Sequence, residues 1–156
     1  MNILVYDNRL EGSAPPGNYV ILEVGKHYHL PDLVSRLNMI AESLGKIEIL
    51  QIMAHGIEED GGGFGVLLCK EGLTNNTVHM LRPLHGKIGK INMSVCSAAR
   101  IETGNKLADA DGELLCKRIA SITGAWVKVS TYQQEYIVWS RETYRGTDFG
   151  DWEGDY

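Results

Sequence analysis

The sequence predicts an α/β fold, a three-layer α/β/α sandwich on a mainly parallel sheet, and three observations carry that prediction. Short apolar runs rich in β-branched residues alternate along the chain with segments of helical spacing. Most of those runs are apolar almost throughout, as strands covered on both faces are. Glycines stand at 45 and 124, where two of the helical segments should stop.

Residues 2–6 (NILVY) form the first strand, and DNRLEGSAPPGN after it is dense in the residues that punctuate loops. YVILEV (19–24) is a second strand. Pro31 and Asp32 then open a helix through LVSRLNMIAESL, with Leu33, Leu37, Ile40 and Leu44 on its apolar face. IEILQIMA (47–54) is the next strand and closes on His55-Gly56, followed by IEEDGGG, read as a glycine-rich loop. FGVLLCK (64–70) reads as a strand, and TNNTVHMLRPL as a short helix capped by its Asn and Thr residues. KINMSVC (90–96) is again a strand, after which residues 97–111 are small and polar. A helix over 111–123 carries Leu115, Ile119 and Ile122 at helical spacing, and WVKVST (126–131) is the last strand.

One domain over 1–140 is expected, with 141–156 as an acidic aromatic tail. From 146 onward the tail holds four carboxylates, three glycines and no basic residue. A chain of 156 residues with 44% hydrophobic and 22% charged residues can bury one sizeable core. A net charge of −5 without a run of Lys or Arg gives no footprint for nucleic acid or an anionic membrane. No apolar stretch approaches the roughly 18 to 20 residues that span a bilayer, and a leader pattern is lacking, so a cytoplasmic protein is expected. Three cysteines, Cys69, Cys96 and Cys116, without paired spacing predict free thiols. Cys69 and Cys116 fall within apolar segments and read as packing residues.

Two strands end on chemistry. One closes on His55-Gly56, the other on Cys96-Ser97, 41 residues beyond His55. Reacting groups in open α/β sheets gather at the carboxyl ends of the strands. A thiol meeting an imidazole there can give up its proton and act as a nucleophile, and the imidazole can later protonate the leaving group. Gly56 lets a substrate carbonyl approach its backbone N–H as an oxyanion donor, while Ser97, Ala98 and Ala99 keep the other wall open. Asp7 and Arg9, at the end of the first strand, are candidate substrate-binding residues: Asp7 for a basic side chain, Arg9 for an acidic one. His27 and His29 could share one side of an extended strand, but no cysteine or carboxylate cluster with ligand spacing accompanies them, so no metal is expected. GGGFG (61–65) lacks the Gly-Lys-Ser/Thr ending of a phosphate loop.

ILQIMAHG (49–56) and INMSVCSAA (91–99), each an apolar strand ending in His-Gly or Cys and in that order, resemble the caspase-like cysteine peptidases, the group of caspases, gingipains, legumains, separases and their bacterial counterparts. GELLCKRIASITGAWVKVST (112–131) is similar to the helix and strand that follow the cysteine in the bacterial members. The resemblance covers about residues 47–131. It implies a caspase-like fold with Cys96 as nucleophile, His55 as its base and acid partner, and the N–H groups of Gly56 and Cys96 as oxyanion donors. It implies no cofactor and no metal. Residues 94–98 (SVCSA) depart from the caspase signature Q-A-C-[RQG]-G, so caspase specificity does not transfer. A polypeptide substrate is expected. The alternatives are an inactive caspase-like interaction module whose tail binds a protein partner, and an effector or toxin domain using the same pair for another acyl transfer.

Overall fold

Eleven elements follow one another in the computed structural model, which describes residues 1–10, 12–59, 62–94, 112–129 and 154–155. They are β1 (Asn2–Asp7), β2 (Val20–Val24), α1 (Leu30–Leu44), β3 (Ile47–Met53), β4 (His55–Glu59), β5 (Gly62–Leu67), a 3-10 helix (Val78–Leu84), β6 (Ile88–Ser94), α2 (Gly112–Thr123), β7 (Trp126–Val129) and β8 (Gly154–Asp155). Five strands form a parallel array in the order β2-β1-β3-β6-β7, and β8 adds an antiparallel edge beside β7.

α1 begins where Pro31 can stand without losing a helical hydrogen bond. Its first N–H is capped from far along the chain, Leu30 N donating to Glu71 Oε1 at 2.9 Å. Leu30, Leu33, Val34, Leu37 and Ala41 form its buried face, whereas Leu44, expected on that face, is 72% exposed in the last turn. Gly45, at φ 97°, then donates to Ala41 O and ends the helix.

Strand alternation divides the core in two. Ile3 and Val5 of β1, Leu50 and Ile52 of β3, Ile91 and Met93 of β6, and Val127 and Val129 of β7 join α1, the 3-10 helix and α2 in one large cluster. Each such side chain, fully buried, contributes about 1.5 to 3 kcal/mol. Leu4, Tyr6 and Met53 point to the other face, where Leu10 of the β1–β2 connection meets them. Both described α-helices therefore lie against the same face.

One expectation is corrected. FGVLLCK does not join the parallel sheet: its strand ends at Leu67, and the supposed loop IEEDGGG begins as β4, which pairs antiparallel with β5. Glycines concealed this hairpin because they weaken a strand pattern. Gly65 is required there, since a Cβ would stand 2.6 Å from the Leu73 carbonyl where β5 bridges to Leu73. Within the segment 141–156, Gly154 and Asp155 pair with Val129 and Lys128 at the edge of the sheet. Among the described residues no helix is long and apolar enough to cross a membrane.

Candidate active site at the carboxyl ends of β1 and β3

The strand order reverses between β1 and β3: the chain leaves β1 for β2 on one side, and α1 returns it to β3 on the other. Such a switch point opens a crevice at the carboxyl ends of the two strands. β1 delivers Asp7 to that rim, and β3 delivers His55 through a single buried residue, Ala54.

His55 is exposed and is the first residue of β4 rather than a loop residue. Its backbone partner across the hairpin is Leu67. Its ring Nε2 lies 3.2 Å from the carbonyl oxygen of Arg9. A carbonyl can only accept, so Nε2 carries the hydrogen, and in the neutral ring Nδ1 keeps its lone pair. That leaves a proton acceptor at the rim.

Gly56 pairs with Val66, whose own N–H and C=O are turned toward Leu73, at 3.0 and 2.8 Å. In an antiparallel ladder this makes Gly56–Val66 a non-hydrogen-bonded pair. The Gly56 N–H is consequently directed away from β5, as a donor to a bound oxyanion would have to be.

Asp7 and Arg9 are engaged with the protein itself. Asp7 is fully buried, and its Oδ1 accepts from Arg9 N at 3.1 Å and Arg9 Nε at 2.9 Å. Oδ2 accepts from Arg9 Nη2 at 2.7 Å and from Cys69 N at 3.0 Å. Arg9 Nη2 also donates to the carbonyls of Leu67, at 3.0 Å, and Cys69, at 2.6 Å. The Asp7 hydrogen bond, the largest cause, holds the guanidinium pKa above its ordinary value. A buried carboxylate with four donors has no capacity left for a ligand, whereas the Arg9 side chain stays partly exposed.

Cys69 lies just beyond β5, buried, in the left-handed region at φ 58°. That conformation is uncommon for a residue with a Cβ; here it turns the Cys69 N–H to Asp7 and its carbonyl to Arg9. Burial first, then the charges of Asp7 and Glu71, push its thiol up to about 12. It is no nucleophile. Cys116 is buried in α2. Cys96 lies outside the described residues, and β6 ends two residues before it at Ser94.

No protein-family model, curated protein or solved structure matches the chain. The chemistry is therefore read from the rim itself.

Beside Arg9 an open cleft of about 560 Å³ runs along the ends of β1 and β2, where Glu23 and Lys26 place charges of opposite sign. Among the described residues no group of three or more His, Cys, Asp and Glu side chains is arranged to hold a metal. His29, weighed above as a metal ligand, instead faces Glu71, its Nδ1 3.0 Å from Oε2. The residues missed from sequence are Leu67, Cys69 and Glu71, which work through contacts about 40 to 60 positions away along the chain. Only the Asp7-Asn8-Arg9 spacing carried a local signal of an ion pair.

Proposed function

We propose that the protein is a small cytoplasmic cysteine peptidase of caspase-like type, with Cys96 as nucleophile and His55 as its proton acceptor. The observation that carries the reading is the register of β3 against β6, in which Met53 pairs with Ser94. His55 and Cys96 each lie two residues past that pair. The strands that precede His55 and Cys96 in the sequence are thus hydrogen-bonded parallel neighbours whose carboxyl ends open on one rim. The Nδ1 lone pair and the outward Gly56 N–H add the base and one oxyanion donor that acyl transfer needs. The three-layer architecture belongs to the same reading. It is supported on the second face by Asn92 Oδ1 of β6, which is shielded from solvent.

In the reaction, the Cys96 thiol passes its proton to His55 Nδ1 and the sulfur adds to the scissile carbonyl. The C–N bond breaks as the imidazolium protonates the leaving amine, giving a thioester. Water, deprotonated by His55, then releases the acid and restores the thiol. The interaction-module reading places binding in the tail, but Gly154 and Asp155 are already spent on the edge of the chain's own sheet.

The test is labelling with a peptidyl chloromethyl ketone, read by intact mass, of wild type and of the Cys96→Ala, His55→Ala and Cys69→Ala variants. Fast single-site labelling that requires Cys96 and His55 but not Cys69 is expected. Slow labelling indifferent to His55 would overturn the assignment.

A further inference from the structure

Arg9 touches His55 in two ways. Its main-chain carbonyl accepts from the ring Nε2, and its guanidinium binds the carbonyl of Leu67, the residue paired with His55 across the hairpin. A single residue thus fixes both the imidazole and the strand paired with the one that carries it. Arg9 is itself locked by the fully buried Asp7, which takes its N–H, Nε and Nη2. The planar fork suits this arrangement because it can face one carboxylate and two carbonyls at once, which a lysine ammonium on its flexible stem cannot.

The geometry points to Asp7 and Arg9 as a positioning pair that selects the tautomer and orientation of His55, so that Nδ1 faces the crevice with its lone pair. In catalysis this role rests on the reading of His55 as the base; the clamp itself does not. Without the pair, the carbonyl of residue 9 is no longer fixed against the ring Nε2, and a released neutral imidazole exchanges its proton between both nitrogens. A larger share of the molecules than in the wild type would then present an N–H where a base is required. The β4–β5 hairpin would also lose the guanidinium bridge that ties Leu67 and Cys69 to β1. Displacing a reacting group by about 1 Å can lower a rate by about a hundredfold.

The experiment uses the full chain and long-range nitrogen–proton NMR of the His55 ring, which reports the tautomer without reference to activity. In wild type the Nε2–H form should dominate; a dominant Nδ1–H form overturns the proposal. In Arg9→Lys, which keeps the charge but loses the fork, and in Asp7→Asn, which keeps the shape but loses the charge, the two tautomers should become mixed. Cys96 labelling by a peptidyl chloromethyl ketone should slow by at least about tenfold. Its pH profile should shift, with little change in the reagent's saturation constant. An unchanged tautomer and pH profile in either folded variant, even beside lower stability, would mean that the pair is structural only. If one variant does not fold, the other decides with the wild-type signal. Absence of Cys96 labelling in wild type would overturn the peptidase reading alone, because the tautomer measurement still tests the clamp.

Discussion

The two faces of the parallel sheet differ in what they are made of. One joins the inward side chains of five strands to α1, the 3-10 helix and α2 in a continuous apolar cluster. On the other, the described residues gather four buried apolar side chains, Leu4, Tyr6, Leu10 and Met53, near β1 and β3. Beside them stand Gln51, Asn92 and Ser94, with Gln51 Nε2 donating to Ser94 Oγ at 2.5 Å. Among the described residues the larger apolar cluster lies on the first face, and the second carries polar groups across the middle of the sheet. The rim where the candidate site lies is the border between them.

The largest effect should come from truncating the first face. Ile91→Ala removes a side chain 2% exposed amid the large cluster, and its loss should fall toward the upper end of the roughly 2 to 5 kcal/mol typical of such cavities. Met53→Ala on the second face has fewer apolar neighbours among the described residues and should fall toward the lower end. Urea denaturation of both variants checks this, and equal losses would break the comparison.

The same contrast explains what could be read beforehand. The parallel strands were legible because apolar runs of strand length announce themselves, and Gly45 and Gly124 marked helix ends through a local backbone requirement, φ 97° and 71°. The β4–β5 hairpin was not, since its glycines answer to the approach of Leu73, a tertiary fact. His55 and Gly56 were recognised at a strand end, but the carbonyl that orients the ring belongs to Arg9, 46 positions earlier. Asp7 and Arg9 are legible as charges, but what holds them depends on Leu67 of β5 and Cys69 just beyond it.

Next in size comes the helix start. Glu71 accepts from Leu30 N and faces His29, and the Leu30 N–H, the largest cause, holds its carboxyl below the ordinary 4.5. A lowered folded pKa means that the stabilisation is fully present above the unfolded value and is lost as pH falls through the folded one. Glu71→Gln should therefore cost about 1 kcal/mol at neutral pH. The gap from wild type should close below pH 4.5. Paired urea titrations at neutral and acid pH test it; a gap that persists in acid would show that the cap does not depend on charge.

A loss of similar size, about 0.5 to 1.5 kcal/mol, is expected for Gln51→Ala, because Ser94 on the neighbouring strand loses this hydrogen bond. A double-mutant cycle with Ser94→Ala should recover a coupling of that order. Zero coupling would mean that the polar second face is tolerated rather than used.

The smallest effect sharpens the comparison at the rim, where two thiols are expected to behave oppositely. Cys69 is fully buried beside the Asp7 carboxylate, and its thiol is pushed from the ordinary 9.0 to about 12. A raised folded pKa keeps the group protonated: its share of stability is whole below pH 9.0 and is lost as pH climbs toward 12. At neutral pH the folded protein should thus show no alkylation of Cys69 by iodoacetamide over hours, while urea should release it at once, as peptide mapping by mass spectrometry would reveal. Labelling of Cys69 in the folded state as fast as in urea would mean that the turn holding it to Asp7 and Arg9 opens freely. His55 would then lose its rigid support, because the same guanidinium bridges Cys69 and Leu67.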